Sequence, residues 1–442
     1  MSQWEFWIDV GGTFTDCIAR SPDEGLRSCK TLSSGATKGE MLDLDTERTS
    51  FFDPLRQSEP PDFWNGYELT LNEFPDHNWK VTAFDSDSGR VYLDQSLPQN
   101  QPPGLTYELR SHESAPLVAI RKTLGLSLSQ PIPTIAVKLG TTRGTNALLE
   151  RKGAHVAFVT TQGFADVLLI GNQNRPKLFQ LNIQKPEPLA ETVIEINERL
   201  TAEGEVLTAP DPQQIKHQLQ AVWETGIRSL AICFMHAWKN PVHEQLVQKI
   251  ARAVGFTEIS VSSKLSPLIK IVSRGDSTVL DAYLSPIIRE YLLDIRNSLG
   301  DDSTLKLMTS AGGLIDADRF VGKDSILSGP AGGVIGYAHV AEQAGFGKAI
   351  GFDMGGTSTD VSRYDGVYER EYETEKGGVR VVAPMLAIET VAAGGGSICQ
   401  FDGVKLSVGP ESSGADPGPA CYGRGGPLSV TDLNVALGRV PS

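Results

Sequence analysis

Asp9-Val10-Gly11-Gly12-Thr13-Phe14-Thr15-Asp16 and Asp353-Met354-Gly355-Gly356-Thr357-Ser358-Thr359-Asp360 are two copies of one octet, D-x-G-G-T-x-T-D, identical at six of eight positions. Each copy ends a strand-like run. In residues 4–9 and 348–353 the large apolar residues occupy even positions and share one face, which leaves each aspartate on the opposite face at the strand end. Paired glycines lack Cβ, so the backbone can turn sharply and bring its N–H groups close to an anion. The hydroxyls of Thr13, Thr15, Thr357 and Thr359 add neutral donors. An aspartate beside a polyphosphate is repelled unless a cation stands between them, so Asp9 and Asp353 imply Mg²⁺. One copy alone reads equally well as an ordinary strand–turn–strand hairpin. Two copies in the same context point to two loops that hold a nucleoside triphosphate from both sides, with Gly11, Gly12, Gly355 and Gly356 against the phosphates.

The 442 residues are enough for two or three domains with large cores. With 40% hydrophobic and 21% charged residues the composition is that of an ordinary globular protein. A net charge of −14 argues against a nucleic-acid or anionic-membrane surface, so an anion site has to be built locally. The five cysteines are scattered without a C-x-x-C spacing, which indicates neither a zinc site nor a disulfide framework. Residues 1–5 lack a basic n-region and no apolar run reaches membrane-spanning length, so a cytoplasmic protein is expected.

Along the chain, residues 36–115 are rich in Asp, Pro, Asn and Gln and hold short strand candidates at 79–84 and 89–93; they read as an inserted, solvated β-rich module. Residues 114–126 have helical spacing and 135–139 form a short strand. Gly140-Thr141-Thr142-Arg143-Gly144-Thr145-Asn146 then opens a helix that Gly153 should stop. Thr141, Thr142 and Asn146 fit two readings, helix capping and the lining of a nucleotide cleft. In Asn172-Gln173-Asn174-Arg175-Pro176, Arg175 could match a substrate carboxylate bidentately or serve a structural salt bridge. Residues 193–207 read as a β-hairpin, 213–225 as an amphipathic helix, 229–234 as a buried strand and 276–293 as a long helix. His236 and His243 have no third ligand nearby and read as loop or cap residues rather than metal ligands. The β-α-β alternation argues for mixed sheets covered by helices. Residues 328–336 open a small-residue helix suited to close packing or to an anion at its N-terminus. Gly394-Gly395-Gly396 cost backbone entropy in a strand, and fit either a wide turn or a backbone that approaches a nucleotide or substrate.

The duplicated octet resembles the two phosphate loops of the superfamily that contains actin, sugar kinases and chaperone ATPases. More closely, Trp7-Ile8-Asp9-Val10-Gly11-Gly12-Thr13-Phe14-Thr15-Asp16, the G-T-T-x-x-T-N-A-L-L-E-R-K-G of residues 140–153 and the run 408–423 resemble the hydantoinase A/5-oxoprolinase family. The resemblance implies an α/β, two-lobed actin-like ATPase fold with mixed sheets flanked by helices, plus the β-rich insertion. It implies an N-terminal domain over 1–190 with the first loop, and a hydantoinase A domain over 191–442 with the second. The family's A region runs on past Ser442, so the end of the second lobe, with the adenine pocket, is expected to be missing.

The activity it implies is ATP-dependent ring opening of 5-oxo-L-proline to glutamate, a step of glutathione metabolism, with ATP and Mg²⁺ as cofactors. The partners implied are a small cyclic amide and a hydantoinase B-type region or subunit; a homo-oligomer with no nucleic acid and no membrane is expected. Asp9 and Asp353 would organise the metal, and Asp16 and Asp360 would fix the loops by accepting backbone N–H bonds. N-methylhydantoin hydrolysis and ketone carboxylation are the alternatives within the family. A non-catalytic nucleotide switch is the alternative outside it.

Overall fold

The computed structural model describes residues 3–440 apart from 24, 72, 99–103, 174–178, 180, 184, 377, 415–416 and 424. The chain is α/β and divides into two compact units. The first comprises Met1–Met308, Leu314–Ile326 and Glu373–Ala383, and the second Thr309–Gly313, Leu327–Tyr372 and Pro384–Ser442. Among the described residues no helix is long and apolar enough to cross a membrane.

The first unit is built on a mixed six-stranded sheet, in the order Leu314–Asp316, Thr304–Met308, Ala136–Thr141, Glu5–Val10, Phe14–Arg20, Leu26–Leu32. Glu5–Val10 lies parallel to Ala136–Thr141, with Asp9 opposite Gly140, and antiparallel to Phe14–Arg20. Alternation does what the sequence predicts here: Phe6 and Ile8 are buried with Cys17 and Ala19, and Asp9 faces out. Two helices cover this face, Ala115–Leu124 through Leu117 and Ile120, and Ile271–Ser298 through Ile288 and Ile295. Ala115–Leu124 starts with a proline in its first turn and stops at Gly125 in the left-handed conformation, φ 71°.

A second, all-parallel sheet runs Ala190–Ile196, Val156–Thr161, Ser229–Cys233, Glu258–Val261. Every residue of Val156–Thr161 is buried, as both faces of such a sheet are covered. Residue 190, the expected division, opens a strand of this sheet. Residues 193–207 do not form one hairpin. Ile194 and Ile196 are drawn into the core against Ile215 and Leu219, and only Arg199–Leu200 and Val206–Thr208 pair as a ribbon. His243, in the helix Val242–Val254, is buried and bonds the Glu198 carboxylate at 2.6 Å. The helix Arg143–Leu149 ends short of Gly153. That glycine is needed because a Cβ there would stand 1.9 Å from the Tyr283 ring.

The β-rich insertion is more than a solvated elaboration. Its seven antiparallel strands lie between Thr37 and Arg110 and enclose a core of their own, with Phe51, Phe63, Trp64, Tyr67, Trp79 and Tyr107 all nearly inaccessible. The aromatic residues needed for that core are dispersed through a polar stretch, so the local composition hides it. Trp64 stacks edge-on against Phe63 and Tyr67, each with centroids 4.8 Å away. Trp64→Ala is expected to destabilise the module by about 3–5 kcal/mol. Hydrogen exchange checks it: protection should fall across residues 37–110 and persist in Glu5–Val10.

In the second unit Ala349–Met354, Thr359–Tyr364 and Glu389–Val391 form an antiparallel sheet. The burial expected for its first strand is reversed. Ile350 is 74% and Phe352 70% exposed, whereas their counterparts Phe6 and Ile8 are 0% and 3%. The covering helix, Ser328–Gln343, lies on the odd-numbered face, where Tyr337 fills the space a Gly351 side chain would take, 2.2 Å from its ring. The contact comes from Tyr337 and not from the small residues: a Cβ on Gly332, Gly333 or Gly336 would meet nothing within 4 Å.

Candidate functional site

Both octets fold as the same hairpin. In the first, Val10 pairs with Thr15 and Asp9 with Asp16, and the Gly11 N–H closes the turn on the Phe14 carbonyl at 3.0 Å. In the second, Met354 pairs with Thr359 and Asp353 with Asp360, and the Gly355 N–H bonds the Ser358 carbonyl at 2.9 Å.

The carbonyls of each turn are tied down from behind. In the first loop Ser33 Oγ donates to the Gly11 carbonyl at 2.8 Å and the Ser33 N–H to the Thr13 carbonyl at 2.9 Å. In the second, the Gly395 N–H donates to the Gly355 carbonyl at 2.9 Å and the Gly396 N–H to the Gly356 carbonyl at 2.6 Å. A trans peptide points its N–H opposite to its C=O. The N–H of Gly12 is therefore aimed away from Ser33, and the N–H groups of Gly356 and Thr357 away from the glycine run. None of these three, nor the Thr13 N–H, has an acceptor among the described residues. Exposed, aligned donors of this kind form an anion-binding concavity.

This geometry resolves the glycine run. Gly394 donates to Ser397 Oγ at 3.0 Å, so the N–H groups of Gly394, Gly395 and Gly396 are all committed within the protein. The backbone they approach is the second loop itself: a Cβ on Gly394 would stand 2.6 Å from the Gly356 carbonyl oxygen. The run supports the loop instead of donating to a ligand. Ser413 and Thr431 hold it in turn, through N–H bonds to the carbonyls of Gly396 and Gly395 at 2.8 and 2.7 Å.

The threonines divide. Thr13 and Thr357 are exposed at the turn tips. Thr15 is 0% and Thr359 4% exposed, and their hydroxyls bond Ser33 Oγ at 3.0 Å and the Ala393 carbonyl at 2.5 Å. Thr15 points to the covered face of its sheet, whereas Thr359 lies on the face away from the covering helix and is buried by the Ala393 segment that its hydroxyl bonds; both brace the loops. Thr141 is likewise fully buried, and its hydroxyl accepts the Arg143 N–H at 3.1 Å. Thr142 bonds the Val10 carbonyl through its N–H at 3.0 Å and its hydroxyl at 3.2 Å, which sets the helix Arg143–Leu149 against the first loop. Asn146 lies 3.5 Å from the Thr142 hydroxyl and beside Gly12, where it can line the same concavity.

Each hairpin also sets two aspartates directly opposite one another, a repulsive arrangement on a strand pair. Asp16 does not accept backbone N–H groups as expected; Lys30, its cross-strand neighbour, binds it at 2.7 and 2.9 Å. Asp360 accepts only the Thr390 hydroxyl, at 2.8 Å, and neither it nor Asp353 has an ion pair among the described residues. The donor set of Asp353 and Asp360 therefore suits a divalent cation, whose charge would offset theirs. Arg175 lies outside the described residues.

The sequence reading missed the roles of Ser33, Ser397, Ser413 and Thr431, of which only Ser413 lies in a stretch that carries the family resemblance. The one available signal was the glycine run, which required a close backbone neighbour.

Two profiles of one family match this chain: hydantoinase/oxoprolinase over residues 274–442, and the hydantoinase/oxoprolinase N-terminal region over 95–255. The 5-oxoprolinase of Saccharomyces cerevisiae is 44% identical over 376 residues, covering 76% of this chain and 29% of the yeast protein. The 5-oxoprolinase 1 of Arabidopsis thaliana is 43% identical over 372 residues, with the same two coverages, 76% and 29%. The chain thus spans under a third of the length of these curated relatives. The ATP-dependent caprolactamase of Pseudomonas jessenii superposes on 99% of this chain and 55% of its own, with a TM-score of 0.65 and 26% identity. With both profiles matching in order and both octets folded as matching hairpins, the chain belongs to the hydantoinase/oxoprolinase family.

Proposed function

We propose that this chain is the nucleotide-handling region of an ATP-dependent cyclic amide hydrolase of the 5-oxoprolinase type. The observation that carries the reading is the pair of hairpins, each with free N–H donors at its tip and opposed aspartates at its base. The relatives named 5-oxoprolinase supply the substrate class.

An unstrained amide is a poor electrophile, and a phosphoryl group on its oxygen makes the C–N bond easier to cleave. That task needs positioning and charge neutralisation more than covalent chemistry from the protein. The N–H groups of Gly12, Thr13, Gly356 and Thr357 and the hydroxyls of Thr13 and Thr357 would grip the phosphates, with Asn146 alongside. Asp9 and Asp353 would hold Mg²⁺, which when bound neutralises polyphosphate charge. Hydrolysis of the activated amide would fall to a hydantoinase B-type partner region.

The test is ADP release by the full-length protein with and without 5-oxo-L-proline, hydantoin or acetone. Stimulation by 5-oxoproline alone is expected. Stimulation only by another compound would move the substrate, and turnover indifferent to all three would favour a nucleotide switch.

A further inference from the structure

A polyphosphate at the first loop meets the carboxylates of Asp9 and Asp16 as well as the N–H donors, in a chain of net charge −14. Its charge therefore has to be offset by a cation placed beside the loop. The basic residues of the two strands that follow the loop are taken. Lys30 binds Asp16, Arg20 pairs with Glu5 at 3.9 Å, and Arg27 donates to the Thr123 carbonyl at 3.0 Å. Arg143 differs from all three. It is exposed, and its guanidinium has neither a hydrogen bond nor an ion pair among the described residues.

The helix that carries it is nevertheless fixed. Thr142 is tied to the Val10 carbonyl and the Thr145 hydroxyl to the Ile326 carbonyl. Gly144 is pressed against Ser325, where a Cβ would stand 2.0 Å from the hydroxyl oxygen. The Arg143 N–H bonds the Thr141 hydroxyl at 3.1 Å, and its guanidinium lies 4.6 Å over the Tyr291 ring, on the long helix Ile271–Ser298. Such a contact restrains the side chain and spends none of its five N–H groups on an acceptor. Three residues on, the Asn146 side-chain nitrogen is 3.9 Å from the position of a Gly12 Cβ. Residues i and i+3 of a helix are neighbours, with about 5–6 Å between Cβ atoms, a gap that an arginine side chain spans.

We infer that Arg143 is a further phosphate-binding residue of the first loop, with Tyr291 as the residue that positions it. The guanidinium fork offers two parallel N–H donors to a pair of phosphate oxygens, and its charge offsets part of theirs. Arg143 stands at the first open position of the G-T-T-x-x-T-N run, so the family resemblance assigns it nothing. The role rests on the nucleotide reading proposed above.

Equilibrium binding of ATP to the full-length protein, with Mg²⁺ present, tests it. Arg143→Met keeps an unbranched side chain against the Tyr291 ring and removes the charge and the donors. Its affinity should fall about ten-fold or more at low ionic strength, the scale of a hydrogen bond to a charged group. The melting temperature should be unchanged. The gap to wild type should narrow between about 0.01 and about 0.3 M salt, because an exposed charge is screened. Arg143→Lys, which keeps the charge and loses the fork, should bind with intermediate affinity. Wild-type affinity in Arg143→Met, Arg143→Lys binding no tighter than Arg143→Met, or a loss independent of salt would each overturn the role. Absence of ATP binding by the wild type would instead remove the nucleotide reading, and this role with it.

Discussion

Replacing Asp353 by asparagine is expected to lower ATP turnover by at least about a hundred-fold, the scale seen when a preorganised electrostatic group is removed from a reacting centre. The fold should survive. Asp353 is exposed at the end of its strand, directly opposite Asp360, with no ion pair to lose among the described residues. Neutralising one of two opposed carboxylates relieves repulsion, so the melting temperature should hold or rise. Asp9→Asn should also impair turnover. Its opposite residue, Asp16, is already neutralised by Lys30, so the gain in stability should be smaller there. ADP release and the Mg²⁺ dependence of nucleotide binding are the readouts. Turnover and binding unchanged in both variants would remove the paired-loop reading.

Gly394→Ala should damage the second loop without touching any polar side chain. The added methyl would stand 2.6 Å from the Gly356 carbonyl oxygen, 2.7 Å from its carbon and 2.8 Å from the Gly355 oxygen. All three are backbone atoms, so no flexible side chain can give way. Either the glycine run or the loop must move, at a cost of about 1–3 kcal/mol, and the bonds from Gly395 and Gly396 that orient the loop go with it. Both the melting temperature and nucleotide affinity should fall. Gly356→Ala is the contrasting change. A Cβ there meets nothing within 4 Å, so stability should shift by no more than about 0.5 kcal/mol, while a methyl at the exposed tip obstructs the phosphates. If Gly356→Ala binds nucleotide as the wild type does, the tip is not a phosphate site.

The local features of this chain could be read from the sequence because their causes are local. The two glycine turns, the strands before them, the helices at 115–124 and 212–224 and the β-rich character of the insertion follow from turn chemistry, capping and the periods of 2 and 3.6 residues. What those rules cannot supply is which face another element covers. Phe6 and Ile350 occupy equivalent positions in matching hairpins, yet one is buried and the other exposed, because the helices lie on opposite faces of the two strands. The same dependence turned Thr15 and Thr359 inward, gave Asp16 a lysine and Asp360 a threonine, and set the Gly394 run behind the second loop as its support.

Asp276 and Arg380 belong to no motif and are far apart in the chain; the long helix Ile271–Ser298 and the antiparallel ribbon of Thr374–Lys376 and Val379–Val381 bring them to one cavity. The sequence by itself determined that there are two phosphate-type turns and where they fall. The tertiary structure decided which of their groups face a ligand, because burial and the direction of each peptide depend on neighbours remote in the chain.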